Sequence, residues 1–298
     1  MSLKQIYEQH YKKLLIIPFL MVVLAIGQIA FQYASTGDIV HKGISLKGGS
    51  TITIEGSLDA QQVQSYLQEQ FPTGDISVRA LSAAGKNIGV SIDADAQLKE
   101  ETDVLLAALR SKGFLTADTK YSLEVVGSSL GESFFRQIAT ALLLAFLLMA
   151  IVVFIYFRIP IPCLAVILAA FSDIIVTLAI FNLTGMKLNS GGIAAFLMLV
   201  GFSVDTDMLL TARVLKRVEL PFMERVYGAV TTGLTMTMTT LAVIIVALIF
   251  SKSDVVQQIM LILGIGLVVD MAMTWIQNVG LLRLYFERKH QGKKGMEH

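Results

Sequence analysis

Six runs of about 20 mostly apolar residues constrain this chain more than any other feature. They cover residues 14–33, 134–156, 161–183, 193–212, 229–250 and 255–284. A hydrocarbon core about 30 Å thick needs roughly 20 apolar residues in a helix, so each run can cross a membrane. Hydrophobic residues make up 54% of the chain and charged residues 16%, with a mean hydropathy of +0.67. The sequence therefore predicts an α-helical polytopic membrane protein with six transmembrane helices.

Lys and Arg predict the orientation of these six spans. On one side lie Lys4, Lys12, Lys13, Arg158, Arg213, Lys216, Arg217, Arg225, Arg283, Arg288, Lys289, Lys293 and Lys294. The opposite short loops hold only Lys187 and Lys252. Because basic residues accumulate in cytoplasmic loops, we expect both termini in the cytoplasm of a multi-pass cell-membrane protein. The first run lacks a small-residue cleavage site after it, so we expect it to remain as an anchor.

Four regions follow from this orientation. Residues 1–34 form a cytoplasmic N-terminus with span 1, residues 35–132 an extracytoplasmic domain, residues 133–285 spans 2–6, and residues 286–298 a basic cytoplasmic tail. The net charge of +1 does not favour nucleic acid as a partner. A lone cysteine, Cys163, excludes an intrachain disulfide, and with only four His no metal or other cofactor is expected.

The extracytoplasmic region has the pattern of a small α+β domain. Apolar and polar residues alternate at 51–55, 76–81, 88–92 and 121–125, which predicts four strands. A helix capped by Ser57 or Asp59 is expected before the second strand, and a helix over 96–111, ended by Gly113, before the fourth. Gly85-Lys86-Asn87 marks a turn. The order β-α-β-β-α-β is ferredoxin-like.

Nothing in this domain resembles a catalytic site, so the protein is not expected to be an enzyme. The domain has neither a Ser/His/Asp grouping nor metal-spaced His or Cys. The segment 46–50 (LKGGS) could cradle a phosphate or form a flexible turn before a strand. It lacks the following helix and the Lys-Ser/Thr pair of a P-loop, so we favour the turn.

Four acidic residues fall inside the apolar runs, at Asp173, Asp205, Asp207 and Asp270. A charge at the centre of a membrane helix costs about 2.5–3.5 kcal/mol on insertion scales. No span carries a Lys, Arg or His near its centre, so these acids lack a basic counter-ion in this chain. Each must take up a proton, bind a cation, meet water, or hydrogen-bond a neighbouring helix while protonated.

Polar residues at helical spacing predict which spans meet. Such stripes are Gly266, Asp270, Thr274, Gln277 and Asn278 on span 6, Ala169, Asp173 and Thr177 on span 3, and Thr231, Thr235 and Thr239 on span 5. We expect these stripes to face one another and Asp205 to have its polar neighbours among them. Asp207 lies about 200° of helical turn from Asp205 and cannot share its face.

These patterns lead to two sets of candidate residues. We predict Asp205 as an ion- or proton-coupling site, helped by Asp173 and Asp270, although the last two fit helix packing equally well. Asp207, Thr231, Thr235 and Thr239 fit a helix-packing, subunit-interface or secondary polar role.

Several ordered motifs resemble the SecD/SecF protein-export family. On spans 3 and 4 these are residues 173–177 (DIIVT), 188–189 (LN), 193–195 (IAA) and 201–207 (GFSVDTD). Elsewhere, residues 43–49 (GISLKGG) resemble its first extracytoplasmic motif, residues 126–131 (VGSSLG) another, and residues 231–241 its span 5 motif. The small first domain is similar to that of SecF members. Bacterial SecF usually has Asn-Asp-Thr at the positions of Asp205-Thr206-Asp207, and this departure favours an archaeal SecF.

The resemblance implies half of an RND-superfamily transporter driven by proton motive force. The implied partners are SecD, the Sec translocon, the translocating preprotein and membrane lipid. The acid is carried over to Asp205 on the SecD form of the motif. Two alternatives stay open: an RND-type exporter of small molecules, and a passive scaffold that stabilises the translocon.

Overall fold

The computed structural model describes residues 7, 10–83, 86–116, 118–216, 219–251 and 253–294. Among these residues, six helices are long and apolar enough to cross a membrane, as predicted. Lys4, Arg217 and Lys252 of the predicted charge asymmetry, and Gly85 of the predicted turn, lie outside the described residues.

The helices of the membrane part follow the six apolar runs. They are α1 Tyr11–Leu14 and α2 Ile16–Thr36, then α6 Ser128–Phe157, α7 Pro160–Leu183, α8 Ser190–Lys216, α9 Phe222–Phe250, α10 Asp254–Ala272 and α11 Val279–Lys294. Pro160 opens α7, where its missing N–H costs nothing. Gly37 ends α2 in the left-handed conformation, with φ of 77°.

The spans divide into an inner and an outer group. About half of α7, α8 and the last span is buried inside the protein, whereas α2, α6 and α9 are mostly exposed. The inner helices are also the ones that carry Asp173, Asp207 and Asp270. The fold therefore places most of the intramembrane acids in the interior of the bundle.

The last span is interrupted by a π-helical turn. After α10 ends at Ala272, Met273–Asn278 is π-helical, and α11 continues from Val279. We call Met273–Asn278 the π segment. Single π turns inside α-helices are rare and occur frequently at functional sites. The sequence pattern predicted one continuous helix here and did not indicate the extra turn.

The segment between α2 and α6 forms a small α+β domain with the predicted element order. Its elements are β1 Gly49–Glu55, α4 Ala60–Gln70, β2 Ile76–Ala83, β3 Lys86–Ala94, α5 Lys99–Ser111 and β4 Tyr121–Val126. The antiparallel sheet has the strand order β2-β3-β1-β4, which is compatible with the predicted ferredoxin-like pattern. Asp59 caps α4 by accepting a bond from the Gln61 N–H at 2.9 Å.

The core of this domain lies between one face of the sheet and its two helices. Ile52 and Ile54 of β1 and Ile92 of β3 are fully buried against Leu67 of α4 and Leu109 of α5. Alternation puts these strand residues on one face, so burying that face fixes the register of the sheet.

The Gly-rich segment before β1 is a turn, as we favoured. A single helical turn, α3 Ile44–Lys47, precedes Gly48 and Gly49, which have φ of 92° and 135°. A Cβ on Gly49 would lie 2.4 Å from the Ala94 carbonyl oxygen, so the position excludes a side chain. The chain then enters a strand rather than a helix, and the phosphate-loop interpretation does not hold.

The α+β domain is bonded to the loop between α7 and α8. Gly43 donates its N–H to the Leu188 carbonyl at 2.7 Å, and the Leu188 N–H donates to the His41 carbonyl at 2.7 Å. The Ser190 N–H donates to Ser45 Oγ at 2.9 Å. We call this contact of residues 41–45 with residues 188–190 the junction.

Asp75 adds two ion pairs next to the junction. Its carboxylate lies 3.2 Å from Lys47 Nζ and 3.1 Å from Lys187 Nζ. Partial burial raises the pKa of Asp75, but the two ammonium groups outweigh this effect and hold its pKa below the ordinary value of 3.8. Lys187 belongs to the α7–α8 loop, so one of the two pairs connects the domain to the membrane part.

Candidate functional site

Three carboxyl groups from three different helices meet in the interior of the bundle. Asp173 comes from α7, Asp207 from α8 and Asp270 from α10, and each is 0% exposed. We call these three residues the acid cluster. Gln277 Nε2 of the π segment donates to Ser172 Oγ of α7 at 3.2 Å, next to Asp173 in the chain. As predicted, the polar stripes of spans 3 and 6 face each other.

Short polar side chains from the neighbouring helices contact the acid cluster. Ser203 Oγ donates to Asp173 Oδ2 at 2.5 Å, and Asn278 Nδ2 donates to Asp207 Oδ1 at 2.7 Å. Thr206 Oγ1 lies 3.0 Å from Asp270 Oδ2, and Thr274 Oγ1 lies 3.1 Å from Asp270 Oδ1. Every donor in this set is a neutral hydroxyl or amide, so the bonds orient the carboxyls without bringing a positive charge to them.

Several buried polar atoms at and near the acid cluster have no partner. Among the described residues these are the acceptors Asp173 Oδ1, Asp207 Oδ2, Gln277 Oε1 and Asn278 Oδ1, and the hydroxyls Thr177 Oγ1 and Thr211 Oγ1, which lie four residues from Asp173 and Asp207. None of the ion pairs among the described residues involves the cluster. Unpaired buried oxygens are costly, and a proton, a small cation or water would satisfy them.

The described residues do not form a metal centre. No three His, Cys, Asp or Glu side chains among them converge on a point that could hold a metal ion.

Asp205 does not lie where the sequence predicted it. Its side chain is exposed on the outer surface of α8, whereas Asp207 is inside with Asp173 and Asp270. The expectation that the two acids point to different faces is confirmed, but the assignment of the faces was wrong. The buried face of α8 is the one with Ser203 and Thr211, which lie four residues on either side of Asp207.

The threonine stripe of span 5 also points outward. Thr231, Thr235 and Thr239 are exposed on α9, and each donates to a carbonyl of its own helix. The expectation that this stripe faces spans 3 and 6 was therefore wrong. The inner face of α9 instead presents Gly233 and Thr237, and Gly233 lies against the ring of Trp275. Gly has no Cβ and therefore leaves room for this ring. Packing against Trp275, and not the polar pattern, decides which face of α9 is buried.

Ser203, Thr206 and Asn278 are the main partners that the sequence did not single out for individual acids. Their signal was present, because Ser203 and Thr211 stand four residues on either side of Asp207 on α8. Both are fully buried, as is Asp207. Small polar residues at this spacing mark the interior face of a membrane helix.

The sequence and the fold match one family of membrane proteins. The family described as "Protein export membrane protein SecD/SecF, C-terminal" matches residues 108–288. The protein-export membrane protein SecF of Pyrococcus furiosus is 38% identical over 98% of this chain and 97% of its own length. That of Methanothermobacter thermautotrophicus is 37% identical over 93% of each chain.

A solved structure supports the same assignment at the level of the fold. The crystal structure of SecDF, a translocon-associated membrane protein from Thermus thermophilus, matches with a TM-score of 0.73 at 20% identity. The match covers 93% of this chain and 38% of that longer chain. On its family match, its nearly full-length relatives and this fold, the chain belongs to the SecD/SecF family of protein-export membrane proteins, among its SecF members.

Proposed function

We propose that this protein-export membrane protein acts with SecD to assist Sec-dependent translocation, using the proton or sodium motive force. The acid cluster holds and releases the coupling ion, and the helices that carry it change their packing when its charge changes. The observation that carries this proposal is the set of three buried carboxyls without a cationic partner among the described residues.

The energy available to such a site is sufficient for a conformational bias. Moving one charge through the membrane potential supplies about 2.3 kcal/mol per 100 mV. A two-state packing of helices with a gap of a few kcal/mol responds to a change of that size. Asp173 and Asp207 sit on the two helices joined by the loop of the junction, so a change in their packing acts on the extracytoplasmic domain directly.

Asp205 supports the proposed partnership with SecD. An ionisable group on a lipid-facing surface is costly, and such residues normally face protein or water. Asp205 and the three outward threonines lie on α8 and α9, which pack against each other. We propose that SecD covers this surface and supplies polar partners for the Asp205 carboxyl. Asp205 therefore remains a second coupling candidate, at the interface between the two proteins.

The proposed orientation has both termini in the cytoplasm and the domain after α2 outside. It is supported by the basic residues Arg213 and Lys216 at the end of α8 and by Arg283, Arg288 and Lys289 in α11. A cysteine introduced at the exposed position Asp103 of α5 should react with an impermeant thiol reagent added to intact cells. Reaction only after the cells are opened would place this domain in the cytoplasm and contradict the proposed orientation.

The coupling proposal is tested with Asp207→Asn in membrane vesicles that export a secreted reporter. The variant keeps the size of the side chain, and the amide oxygen of the new Asn can still accept the bond from Asn278. The new side chain cannot take up or release a proton. We expect the increment of export that an imposed ion gradient adds to be lost, while export without a gradient stays at the wild-type level. Separate proton and sodium ionophores identify the ion.

A matched control is Asp103→Asn, which makes the same change at an exposed acid of α5. It should behave as wild type. An Asp207→Asn variant that keeps its full gradient-dependent increment contradicts coupling through the acid cluster. Loss of co-purification with SecD, with export falling equally at all gradients, would instead favour the scaffold alternative.

A further inference from the structure

Tyr7, close to the N-terminus, is hydrogen-bonded to the π segment through its side-chain hydroxyl. The Tyr7 side chain donates a hydrogen bond to the backbone carbonyl of Trp275, 268 residues further along the chain. Tyr7 is partly buried, and the cavity beside it and Tyr11 has a volume of only about 10 Å³. Such a space is at the lower limit for one water molecule while the hydroxyl is present.

The Trp275 carbonyl accepts this bond because the π turn has taken away its usual donor. In an α-helix the N–H of residue i donates to the carbonyl of residue i−4, which pairs Val279 with Trp275. Here the Val279 N–H donates to the carbonyls of Thr274 and Ile276 instead. A carbonyl that loses its usual helical donor favours another partner, and the hydroxyl of Tyr7 supplies one.

The π segment in turn directs polar side chains at the acid cluster. Thr274 donates to Asp270, Asn278 donates to Asp207, and Gln277 Nε2 donates to Ser172 Oγ at 3.2 Å. An extra residue in one turn changes the direction of all side chains that follow it along the helix. If the Val279 N–H donated to the Trp275 carbonyl, as in a regular α-helix, Asn278 would be rotated relative to Asp207.

We propose that Tyr7 is a positioning residue for the acid cluster, and that its hydroxyl holds the π turn which keeps Asn278 on Asp207. The structural role of Tyr7 is independent of the proposed function, whereas its consequence for export rests on that function. Burial first, and the neighbouring Tyr227 second, raise the pKa of Tyr7 above its ordinary value, so the hydroxyl keeps its proton at physiological pH.

The chain provides its own probe for this test, because Trp275 is its only tryptophan. We expect Tyr7→Phe, in the purified full-length protein, to shift the emission of Trp275 and to increase its quenching by acrylamide at least about twofold. The matched control is Tyr11→Phe, because the Tyr11 hydroxyl bonds Glu287 at 2.5 Å rather than the π segment. The control should leave the emission and quenching of Trp275 as in wild type.

Gradient-dependent export in vesicles provides a second readout. We expect Tyr7→Phe to need a larger imposed gradient than wild type for the same export, at equal protein abundance, and Tyr11→Phe to match wild type. A folding defect alone would lower export at every gradient, without a shift along the gradient axis.

The outcomes separate the two proposals. Unchanged Trp275 fluorescence in Tyr7→Phe, or an equal change in Tyr11→Phe, overturns the positioning role whatever export does. If Asp207→Asn abolishes the gradient response and Tyr7→Phe leaves it unshifted, the positioning role is overturned and the proposed function stands. If Asp207→Asn keeps the response while Tyr7→Phe changes Trp275, the proposed function fails and the hydroxyl still holds the π turn.

Discussion

At the scale of single residues, the environment of a carboxyl group decides what it can do, and Asp205 and Asp207 demonstrate this. They are two positions apart in one helix, yet one is exposed and the other is 0% exposed. The sequence establishes that they point in different directions, because the helical period requires it. It does not establish which of them is buried, since that depends on where α7 and α10 pack.

Asp75 should make the protein's stability depend on pH in a defined window. Its pKa is lowered in the folded protein, so its ion pairs contribute stability above pH 3.8 that is lost as the pH falls through the folded pKa. The side chain is half exposed, which limits the effect to that of a surface pair, below about 1 kcal/mol.

The measurement compares thermal unfolding of wild type and Asp75→Asn as a function of pH. A small difference is expected at pH 7, and the two curves should meet at a pH below 3.8, once Asp75 is protonated in the folded protein as well. The difference should also shrink in high salt, because exposed charges are screened. A difference that persists at pH 2 would show that Asp75 acts through something other than its charge.

At the scale of helices and strands, the sequence predicts existence and type better than detail. The strand predicted at 51–55 is observed as Gly49–Glu55, and the helix predicted at 96–111 as Lys99–Ser111. Alternation and capping are local signals, so they survive folding. The one-turn helix Ile44–Lys47 and the π segment were not predicted, because both are selected by contacts with distant parts of the chain.

The contact between α9 and the π segment yields a prediction at the same scale. A Cβ on Gly233 would lie 2.3 Å from the ring of Trp275, whereas a Cβ on Gly264 of α10 would meet Ile244 Cγ2 at an ordinary 3.5 Å. We expect Gly233→Ala to destabilise the protein by about 1–3 kcal/mol through overpacking. Gly264→Ala should be neutral or slightly stabilising, because Ala favours helices.

Thermal unfolding of the two purified variants checks this expectation. Gly233→Ala should also change the emission of Trp275, while Gly264→Ala should not. Equal unfolding temperatures for the two variants would mean that the ring of Trp275 moves aside at no cost, contrary to tight packing of α9 on the π segment.

At the scale of the whole molecule, the proposed contact of SecD with the exposed face that carries Asp205 can be tested by chemical labelling. We expect a hydrophobic carbodiimide, which modifies protonated carboxyls in apolar surroundings, to label Asp205 in the protein purified alone. Co-purified SecD should protect it, and the buried acid cluster should stay unlabelled in both states. The modified residue is identified by mass spectrometry, with Asp205→Asn as the blank. Equal labelling with and without SecD would contradict a shared interface at this face.

The junction has a mechanical consequence for the α+β domain. The domain is fixed to the membrane part at two places on the same side of its sheet, where β4 continues through Gly127 into α6 and where the chain before β1 is bonded to the α7–α8 loop. A body held at two pivots keeps one rotational freedom, about the line that joins them. The partly exposed ion pair between Asp75 and Lys187 opposes this rotation. We therefore expect the domain to swing as a unit about the β1–β4 side, with β2, at the opposite edge of the sheet, sweeping the widest arc.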